Sequence, residues 1–535
     1  MNSQCLSHVK WLVPALGVAL VALALRLPRL DQRPMHGDEA NQAVRTGLLL
    51  ETGTYHYDPT DHHGPVLYFA ALPFCRATAR TFAETTEWNY RLVPVVFSVL
   101  TLVLTAWLGT KRDGGLFDNE EGLFAAALLT AVSPAMAYYS RFFIQETMFV
   151  TFLTGMLACA VRYARARACR RGASAASAWH AAFFGAFAGL AAATKETVVL
   201  SCAAAAVAAV AACGFPRLLR AWNTRDALIA AGVAAAVAIL LFSSFLTYPR
   251  GVYDAVFSTF SAYLDRATAV PEHQHPWYFY LKVLFWFKYG RGPVWSEAGL
   301  LILGLLAAAV AFWRRGPAAD VSAQTRWVRF VAVYTLALTA LYSLVPYKTP
   351  WCGLSFLHGY ILLAGVGAGA AFEWLKRLPK AGRLAGTAAV AALVGLLAVH
   401  HAGQAWRACF KLPADPRNPY VYAHTGSDAM NLVAEVERAA QNAAGYDTLV
   451  AVAVPTPDTW PLPWYLRKYR RVGYWTSVAD VPDSVRPTIV IAAADQGDAA
   501  DARFGQGKRA SFFGIRPGVL LNVFVPAATA GGKRE

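Results

Sequence analysis

Charged residues are scarce in this chain. Asp, Glu, Lys and Arg make up 15% of its 535 residues, whereas 56% are hydrophobic and the mean hydropathy is +0.36. An average soluble domain carries about 25% charged residues. Several apolar runs reach roughly 17–22 residues, which is long enough for a helix to cross a ~30 Å hydrocarbon core. The composition therefore excludes an ordinary soluble protein and predicts a mainly α, polytopic transmembrane helix bundle.

The sequence also lacks the usual marks of several other classes of protein. Its eight cysteines are scattered and form no CxxC pair, so neither a disulfide framework nor a zinc site is indicated. No solenoid repeat and no Gly-rich phosphate loop are visible. The net charge of +16 could suggest nucleic acid, but the basic residues concentrate in short loops between apolar runs. That placement is a topology signal and predicts no nucleic-acid partner.

The apolar runs predict about eleven spans. They lie at roughly 11–28, 90–110, 121–139, 145–162, 179–194, 197–213, 227–247, 294–313, 328–345, 354–375 and 385–400. Because the basic short loops fall on one face, that face and the N-terminus are predicted to be cytoplasmic. An odd number of spans then places the C-terminal tail outside. The predicted location is the inner (plasma) membrane, which the chain crosses many times.

Two domains are expected. Residues 1–401 would form the transmembrane domain, with a large first extracytoplasmic loop at 29–89. Residues 402–535 would form a small extracytoplasmic α/β domain, to which the sequence assigns no chemistry. Short β-branched runs predict strands at Asp447–Val454, Pro487–Ala494 and Gly518–Pro526, and helical periodicity is found over Asp428–Ala443.

The first extramembrane loop carries adjacent carboxylates in the motif GDEA. A carboxylate at this position, Asp38 or Glu39, can take a proton from an acceptor hydroxyl or coordinate a cation. Neighbouring helical residues do not face one point, so one of the two is expected to be catalytic. The other would bind a metal, orient the loop or have no role. The alternative is a solvated loop with ordinary charges.

The same loop contains the motif DHHGP, with His62 and His63. Two imidazoles could bind a metal or donate to a phosphate, although a pair of loop histidines is more often structural. A divalent cation held by Asp38, Glu39 and His63 is permitted but not demanded. Gly64 and Pro65 predict a tight turn.

Three cationic positions lie in other turns on the same predicted outer face. Arg141 and Glu146 bracket the turn SRFFIQE, Lys195 interrupts a long apolar stretch in ATKET, and Lys348 stands in YKTPW. Ionisable residues at membrane depth are costly and usually functional, and a lipid phosphate is a fitting partner for a cation. Snorkelling to ordinary headgroups explains Arg141 and Lys348 equally well. Acids and cations on one face suit a lipid-linked phosphate donor and an acceptor activated by a carboxylate.

These motifs together resemble the GT-C glycosyltransferases, which include dolichyl-phosphate-mannose protein mannosyltransferases and bacterial aminoarabinose transferases. The set GDEA, HGP, SRF, TKE and YKTPW, in this order, is most similar to the prokaryotic flippase activity-associated protein subgroup. The resemblance implies inverting transfer from a polyprenyl-phosphate-linked sugar to a protein, lipid or glycan acceptor on the outer face. It implies that Asp38, with Glu39 beside it, is the base and that Arg141 contacts the donor phosphate. Relatives often place Asp in the turn where this chain has Gln145 and Glu146.

Two other classes of function stay open. A transporter or flippase-associated component of a lipid-linked glycan pathway would move such a lipid without making a glycosidic bond. The sequence shows neither an inverted repeat nor an ATP-binding loop, which disfavours a transporter. A non-catalytic scaffold would act through its C-terminal domain, and deletion of residues 405–535 would abolish its effect.

Overall fold

The computed structural model describes residues 3–527, except for residues 61–62, 169–172, 216–222, 260, 263–272 and 314–320. Helices dominate the first three quarters of the chain. In order they are α1 (Ser3–Arg26), α2 (Gly37–Thr52), α3 (Val66–Arg76), α4 (Glu87–Trp107), α5 (Glu120–Val132), α6 (Pro134–Tyr139), α7 (Glu146–Ala168), α8 (Ala173–Ala192), α9 (Val198–Cys213), α10 (Thr224–Phe242), α11 (Arg250–Tyr253), α12 (Phe279–Phe285), α13 (Ala298–Trp313), α14 (Ala323–Leu344), α15 (Leu354–Leu375) and α16 (Lys380–Trp406).

The predicted transmembrane bundle is confirmed. Within the described part of the chain, seven helices are long and apolar enough to cross a membrane, namely α4, α7, α8, α10, α14, α15 and α16. Four further apolar helical segments are shorter, namely Trp11–Arg26 within α1, and α3, α9 and α13. Every predicted span falls on helical structure, but the total of eleven spans stays a prediction.

One predicted span is broken into two helices. The run 121–139 forms α5 and α6, which meet at Ser133 and Pro134. Proline has no N–H to continue the hydrogen bonding of α5, and it is well suited to the first position of a new helix. The Ser133 hydroxyl accepts from the N–H of Met136 and caps α6. The break turns the chain toward the motif SRFFIQE.

Helix α15 forms the centre of the bundle. Its residues 354–366 are all buried, and it packs between α5, α13, α14 and α7. Small residues allow the close approach to α5: a methyl group added to Gly365 would lie 2.5 Å from Cβ of Ala126. This packing holds the ends of α7 and α14 beside the N-terminus of α15, where the candidate site lies.

The predicted C-terminal α/β domain is also present. Its sheet has the order β2-β1-β3-β5-β4. The strands are β1 (Val450–Ala453), β2 (Val472–Trp475), β3 (Ile489–Ala493), β4 (Lys508–Arg516) and β5 (Val519–Pro526), and the helices are α17 (Asp428–Gln441), α18 (Thr456–Thr459), α19 (Leu462–Tyr465) and α20 (Gly497–Phe504). Strand β1 runs parallel to β2 and β3, whereas β5 is antiparallel to β3 and β4.

The sequence predicted β1, β3, β5 and α17 but missed β2 and β4. Both missed strands lie at the edges of the sheet, and both carry partly exposed residues. The polar, mixed composition of an edge strand gives little of the apolar pattern that marks a buried one. The division of the chain at residues 401 and 402 stays a prediction, and α16 runs through this position to Trp406.

The C-terminal domain packs directly on the helical bundle. Helix α19 lies against α2, and the buried indole of Trp464 contacts the ring of Tyr90 at a centroid distance of 5.4 Å. The guanidinium of Arg467 stacks on Trp464 and donates to the carbonyl oxygen of Thr85 at 2.7 Å. The loop that precedes α2 is therefore enclosed between the bundle and this domain.

Candidate active site

Helix α2 begins at the predicted acidic motif, and a histidine caps it. The Nδ1 atom of His36 accepts from the N–H of Asp38 at 3.0 Å, and the Glu39 carboxylate accepts from the N–H of His36 at 3.1 Å. These two bonds form a reciprocal capping box, which satisfies N–H groups that a helix start leaves unpaired. The box fixes the first turn of α2 and sends the two acidic side chains in different directions.

Glu39 faces inward and is completely buried. Its carboxylate accepts from Nη2 of Arg33, from Nε and Nη2 of Arg91, and from the N–H of Phe143, each at 2.9 Å, besides the bond from His36. Each oxygen of the carboxylate therefore accepts at least two hydrogen bonds. A metal or a substrate could reach them only by displacing these bonds.

The charge of Glu39 is stabilised by this shell. Burial alone would raise the pKa of the carboxyl, but Arg33, Arg91 and the N–H of Phe143 outweigh burial and lower the pKa to about 2. Glu39 is therefore an ionised carboxylate at every physiological pH, and it connects the loop before α2 to α4.

Asp38 faces a large cavity. Its side chain is 51% exposed, compared with 12% for Glu196 and 6% for Glu146, which line the same cavity. The cavity has a volume of about 1350 Å³. Apolar residues of α9, α10 and α11 line it, as do the aromatic residues Tyr342, Tyr347 and Trp351. Among the described acids in its wall, Asp38 is the one most open to an incoming molecule.

The motifs HGP and TKE meet at the edge of this cavity. The Val66 N–H donates to the carbonyl oxygen of Ala193 at 3.1 Å. A methyl group on Gly64 would lie 2.2 Å from the same oxygen, so only glycine fits there. His63 Nδ1 lies 2.8 Å from the Glu196 carboxylate. Here His63 has an acidic partner, and His62 lies outside the described residues.

Lys195 and Glu146 form an ion pair in the cavity wall. Nζ of Lys195 donates to Oε1 of Glu146 at 2.5 Å, and both side chains are almost completely buried. Glu146 is the first residue of α7, and Lys195 precedes α9. The structure therefore brings together Asp38, His63, Glu146 and Lys195, four of the residues singled out in the sequence, in the wall of one cavity.

The other two predicted cations lie outside that wall. Arg141 donates to the carbonyl oxygens of Arg26, Pro28 and Arg29 at 2.7–2.8 Å, at the end of α1. Carbonyl groups at a helix C-terminus lack partners within the helix, and a guanidinium satisfies them well. Burial lowers the pKa of Arg141 to about 10.

Lys348 is also bound to backbone. Its Nζ donates to the carbonyl oxygens of Val345 at 2.5 Å and His275 at 2.9 Å. The neighbours Tyr347 and Thr349 line the cavity, while Lys348 is 1% exposed. The ammonium group therefore ties the segment 273–275 to the turn before α15.

The C-terminal domain contributes part of the site that the sequence did not indicate. The N–H of Met35 donates to the Tyr465 hydroxyl at 2.9 Å, and the Thr425 hydroxyl donates to the carbonyl oxygen of Met35 at 2.7 Å. Trp460 and Arg516 line the cavity mouth beside Gly37, where a methyl group would contact both at 3.5–3.6 Å. Sequence reasoning missed these residues, and no local signal marks them.

The predicted metal ligands Asp38, Glu39 and His63 do not form a coordination set, because the oxygens of Glu39 are occupied by arginine and backbone donors. Among the described His, Cys, Asp and Glu residues, no three side chains are grouped in a way that could hold a metal ion.

No protein-family model matches the sequence, and no curated protein matches it either. Solved structures do match. The chain is similar to ArnT from Cupriavidus metallidurans bound to undecaprenyl phosphate, with a TM-score of 0.62 and 14% identity over 97% of this chain and 99% of that one.

A second similar structure is the oligosaccharyltransferase AglB from Archaeoglobus fulgidus in complex with an inhibitory peptide and a dolichol-phosphate. The TM-score is 0.58 at 11% identity, over 98% of this chain and 75% of that one. An Archaeoglobus fulgidus oligosaccharyltransferase tethered to an acceptor peptide gives a TM-score of 0.56 at 12% identity, over 94% of this chain and 73% of that one. The chain therefore shares the fold of these solved structures, which is the fold that the resemblance of its motifs implied.

Proposed function

We propose that this protein is a membrane glycosyltransferase that moves a sugar from a polyprenyl-phosphate donor to an acceptor on the extracytoplasmic side. The observation that carries the proposal is the accessible carboxylate of Asp38 in a cavity of about 1350 Å³ whose wall also holds Lys195 and His63. The fold supports it, since ArnT was solved with undecaprenyl phosphate and AglB with dolichol-phosphate.

Asp38 acts as the general base. It takes the proton of an acceptor hydroxyl while the acceptor oxygen forms a bond to the anomeric carbon of the sugar. The bond between that carbon and the phosphate oxygen breaks, and polyprenyl phosphate leaves with the electron pair. One such displacement inverts the anomeric centre, as the resemblance implies. Glu39 serves as the ionic anchor that fixes Asp38 at the cavity.

Lys195 and His63 bind the donor phosphate. Each lies beside a carboxylate, Lys195 beside Glu146 and His63 beside Glu196, and the carboxylates orient these two side chains at the cavity wall. A phosphate that enters the cavity would compete with the present acceptors of the Lys195 ammonium, such as Cys352 Sγ at 3.4 Å, for a charge-assisted hydrogen bond. His62, which the sequence also predicts to bind the substrate, lies outside the described residues.

Arg141 and Lys348 support the donor site indirectly. Both side chains donate their hydrogen bonds to backbone carbonyl oxygens, and neither side chain lines the cavity. Arg141 holds the end of α1, and Lys348 holds the turn that carries Tyr347 and Thr349. Their removal would alter the shape of the site rather than remove a phosphate contact.

The acceptor class is protein, lipid or glycan, and the location is the plasma membrane with the C-terminal domain outside. Apolar residues of α9 and α10 in the cavity wall suit the prenyl chain of the donor. A divalent cation at Asp38 would require ligands from the substrate phosphate, since Glu39 is occupied. Chelation by EDTA during the assay tests this requirement.

The test compares Asp38→Asn with Asp31→Asn, an exposed acid of the same loop. The full chain is reconstituted in liposomes with the radiolabelled lipid-linked sugars and acceptor fraction extracted from source membranes. Since a general base contributes typically ~10²–10⁴-fold, Asp38→Asn should lose transfer by that factor, while Asp31→Asn keeps it.

Full activity of folded Asp38→Asn would contradict the assignment of the base. If labelled lipid crosses the bilayer while no new glycosidic bond forms, the transporter alternative holds instead.

A further inference from the structure

The ring of His36 connects two elements that are far apart in the chain. Its Nδ1 atom lies 3.0 Å from the backbone nitrogen of Asp38, and its Nε2 atom lies 3.0 Å from the carbonyl oxygen of Tyr422. A backbone N–H can only donate and a carbonyl oxygen can only accept. These partners assign the neutral tautomer of His36, with the proton on Nε2 and the lone pair on Nδ1.

The position of this ring is tightly fixed. His36 is 3% exposed, and its ring packs against Phe142 and Trp351 at centroid distances of 5.3 and 5.8 Å. Because both ring nitrogens are already bonded, His36 can neither ligate a metal nor exchange protons with a substrate without breaking the cap of α2. Its bonds place the first turn of α2, and thereby Asp38, relative to Tyr422.

Tyr422 has a second connection through its hydroxyl group. That oxygen lies 2.7 Å from Nδ1 of His273 and 2.8 Å from Nε2 of His275. The segment 273–275 in turn pairs with the turn before α15, where the N–H of Lys348 donates to the carbonyl oxygen of His273 at 2.9 Å. Tyr422 thus contacts the segment 273–275 with its hydroxyl group and the cap of α2 with its carbonyl group.

We propose that His36 is a positioning residue through which Tyr422 couples the seating of the segment 273–275 to the placement of Asp38. The inference rests on the proposed function, in which Asp38 is the base. When the segment 273–275 is docked, the Tyr422 carbonyl is held where it orients the ring of His36. The capped first turn of α2 then presents Asp38 to the cavity.

Three variants of the full chain test the coupling: His36→Ala, which removes both bonds; His36→Asn, whose amide oxygen can still cap α2; and Tyr422→Phe, which removes only the hydroxyl contacts. A misplacement of about 1 Å can cost 10²-fold in rate. We expect His36→Ala to lower kcat on the order of 10- to 100-fold without changing the affinity for undecaprenyl phosphate. His36→Asn should recover part of this loss, and Tyr422→Phe should lower kcat several-fold.

The double variant separates coupling from general destabilisation. If Tyr422 acts on Asp38 through His36, Tyr422→Phe costs nothing further in the His36→Ala background. Additive losses in the double variant, or no rescue by Asn, would overturn the inference. His56→Ala removes an exposed histidine that stacks on Tyr248; it is the matched control and should keep wild-type kcat.

A readout that needs no substrate accompanies the kinetics. In NMR spectra of protein labelled with ¹⁵N-histidine, the signals that disappear in His36→Asn identify the ring of His36. In the wild-type chain these signals should show one protonated ring nitrogen, Nε2. A doubly protonated ring or an Nδ1–H tautomer at neutral pH would overturn the inference. If the wild-type chain makes no glycosidic bond, the proposed function fails. If it does and all three variants keep wild-type kcat, only the coupling fails.

Discussion

Asp38 and Glu39 are neighbours in the chain, yet the side chain of Asp38 is 51% exposed to a cavity and that of Glu39 is completely enclosed by arginine and backbone donors. The capping box of α2 produces this separation. An acidic pair that looks equivalent in the sequence therefore divides into a carboxylate that is accessible from the cavity and a carboxylate that anchors the loop.

Glu39→Gln is expected to destabilise the folded protein by about 3–5 kcal/mol. Removing one partner of a buried ion pair leaves an uncompensated charge, and here two guanidinium groups, Arg33 and Arg91, would lose their counterion. Thermal unfolding in detergent measures the change. Asp38→Asn is the matched control, since it should lose activity and keep the unfolding midpoint. Equal stability of both variants would contradict the anchor role.

The same carboxylate predicts a loss of stability in acid. The pKa of Glu39 is about 2 in the folded protein, against an ordinary value of 4.5. The stabilisation is complete above pH 4.5, and it is lost as the pH falls from 4.5 through 2. The free energy of unfolding should fall by up to about 3 kcal/mol over this range. Glu39→Gln should show a correspondingly flatter profile, and parallel profiles would refute this attribution.

The apolar runs and the order of the motifs were enough to predict the fold class, because hydrophobic length and motif identity are local properties. The partners of Glu39 were not predictable, since Arg91 lies 52 residues away. Likewise the sequence shows that Arg141 and Lys348 are charged, but not which backbone carbonyls lie within their reach. The predicted cluster of cations therefore divides into Lys195 at the cavity and two side chains bound to backbone.

Gly64→Ala should separate the HGP and TKE turns. The added methyl group would lie 2.2 Å from the carbonyl oxygen of Ala193 and 2.9 Å from the nitrogen of Thr194, and backbone atoms cannot move aside cheaply. We expect a loss of about 1–3 kcal/mol of stability together with weaker binding of undecaprenyl phosphate, because Lys195 belongs to the displaced turn. Gly403→Ala, with nothing within 4 Å of the new methyl, is the control. Wild-type binding by Gly64→Ala would show that the two turns do not depend on this contact.

Lys195→Met and Lys348→Met should differ in their effect on phosphate binding, although both remove buried interactions. A hydrogen bond to a charged group is worth about 1.5–3 kcal/mol, so Lys195→Met is expected to raise the Kd for undecaprenyl phosphate about 10- to 150-fold. Lys348→Met removes donors from the Val345 and His275 carbonyls, and it should lower the unfolding midpoint with little change in Kd. Native mass spectrometry of the protein in nanodiscs reports the binding. A similar rise in Kd for both variants would indicate that Lys348 also contacts the phosphate.

We expect the C-terminal domain to be required for sugar transfer. Removal of one hydroxyl group of this domain, that of Tyr465, tests the requirement. Truncation at residue 405 would remove Tyr422, Thr425 and Tyr465, all bonded to residues 35–36, so it would inactivate an enzyme as well as a scaffold. Tyr465→Phe leaves the domain folded but deprives the Met35 N–H of its acceptor, at a cost of about 1–3 kcal/mol.

Because the same loop places Asp38, Tyr465→Phe should lower kcat at least several-fold while the affinity for undecaprenyl phosphate is kept. The exposed Tyr446, changed to Phe, is the control and should be silent. A scaffold has no kcat to lose, so a selective loss in Tyr465→Phe favours catalysis. Unchanged turnover in that variant would mean that the domain contacts the loop without positioning the base.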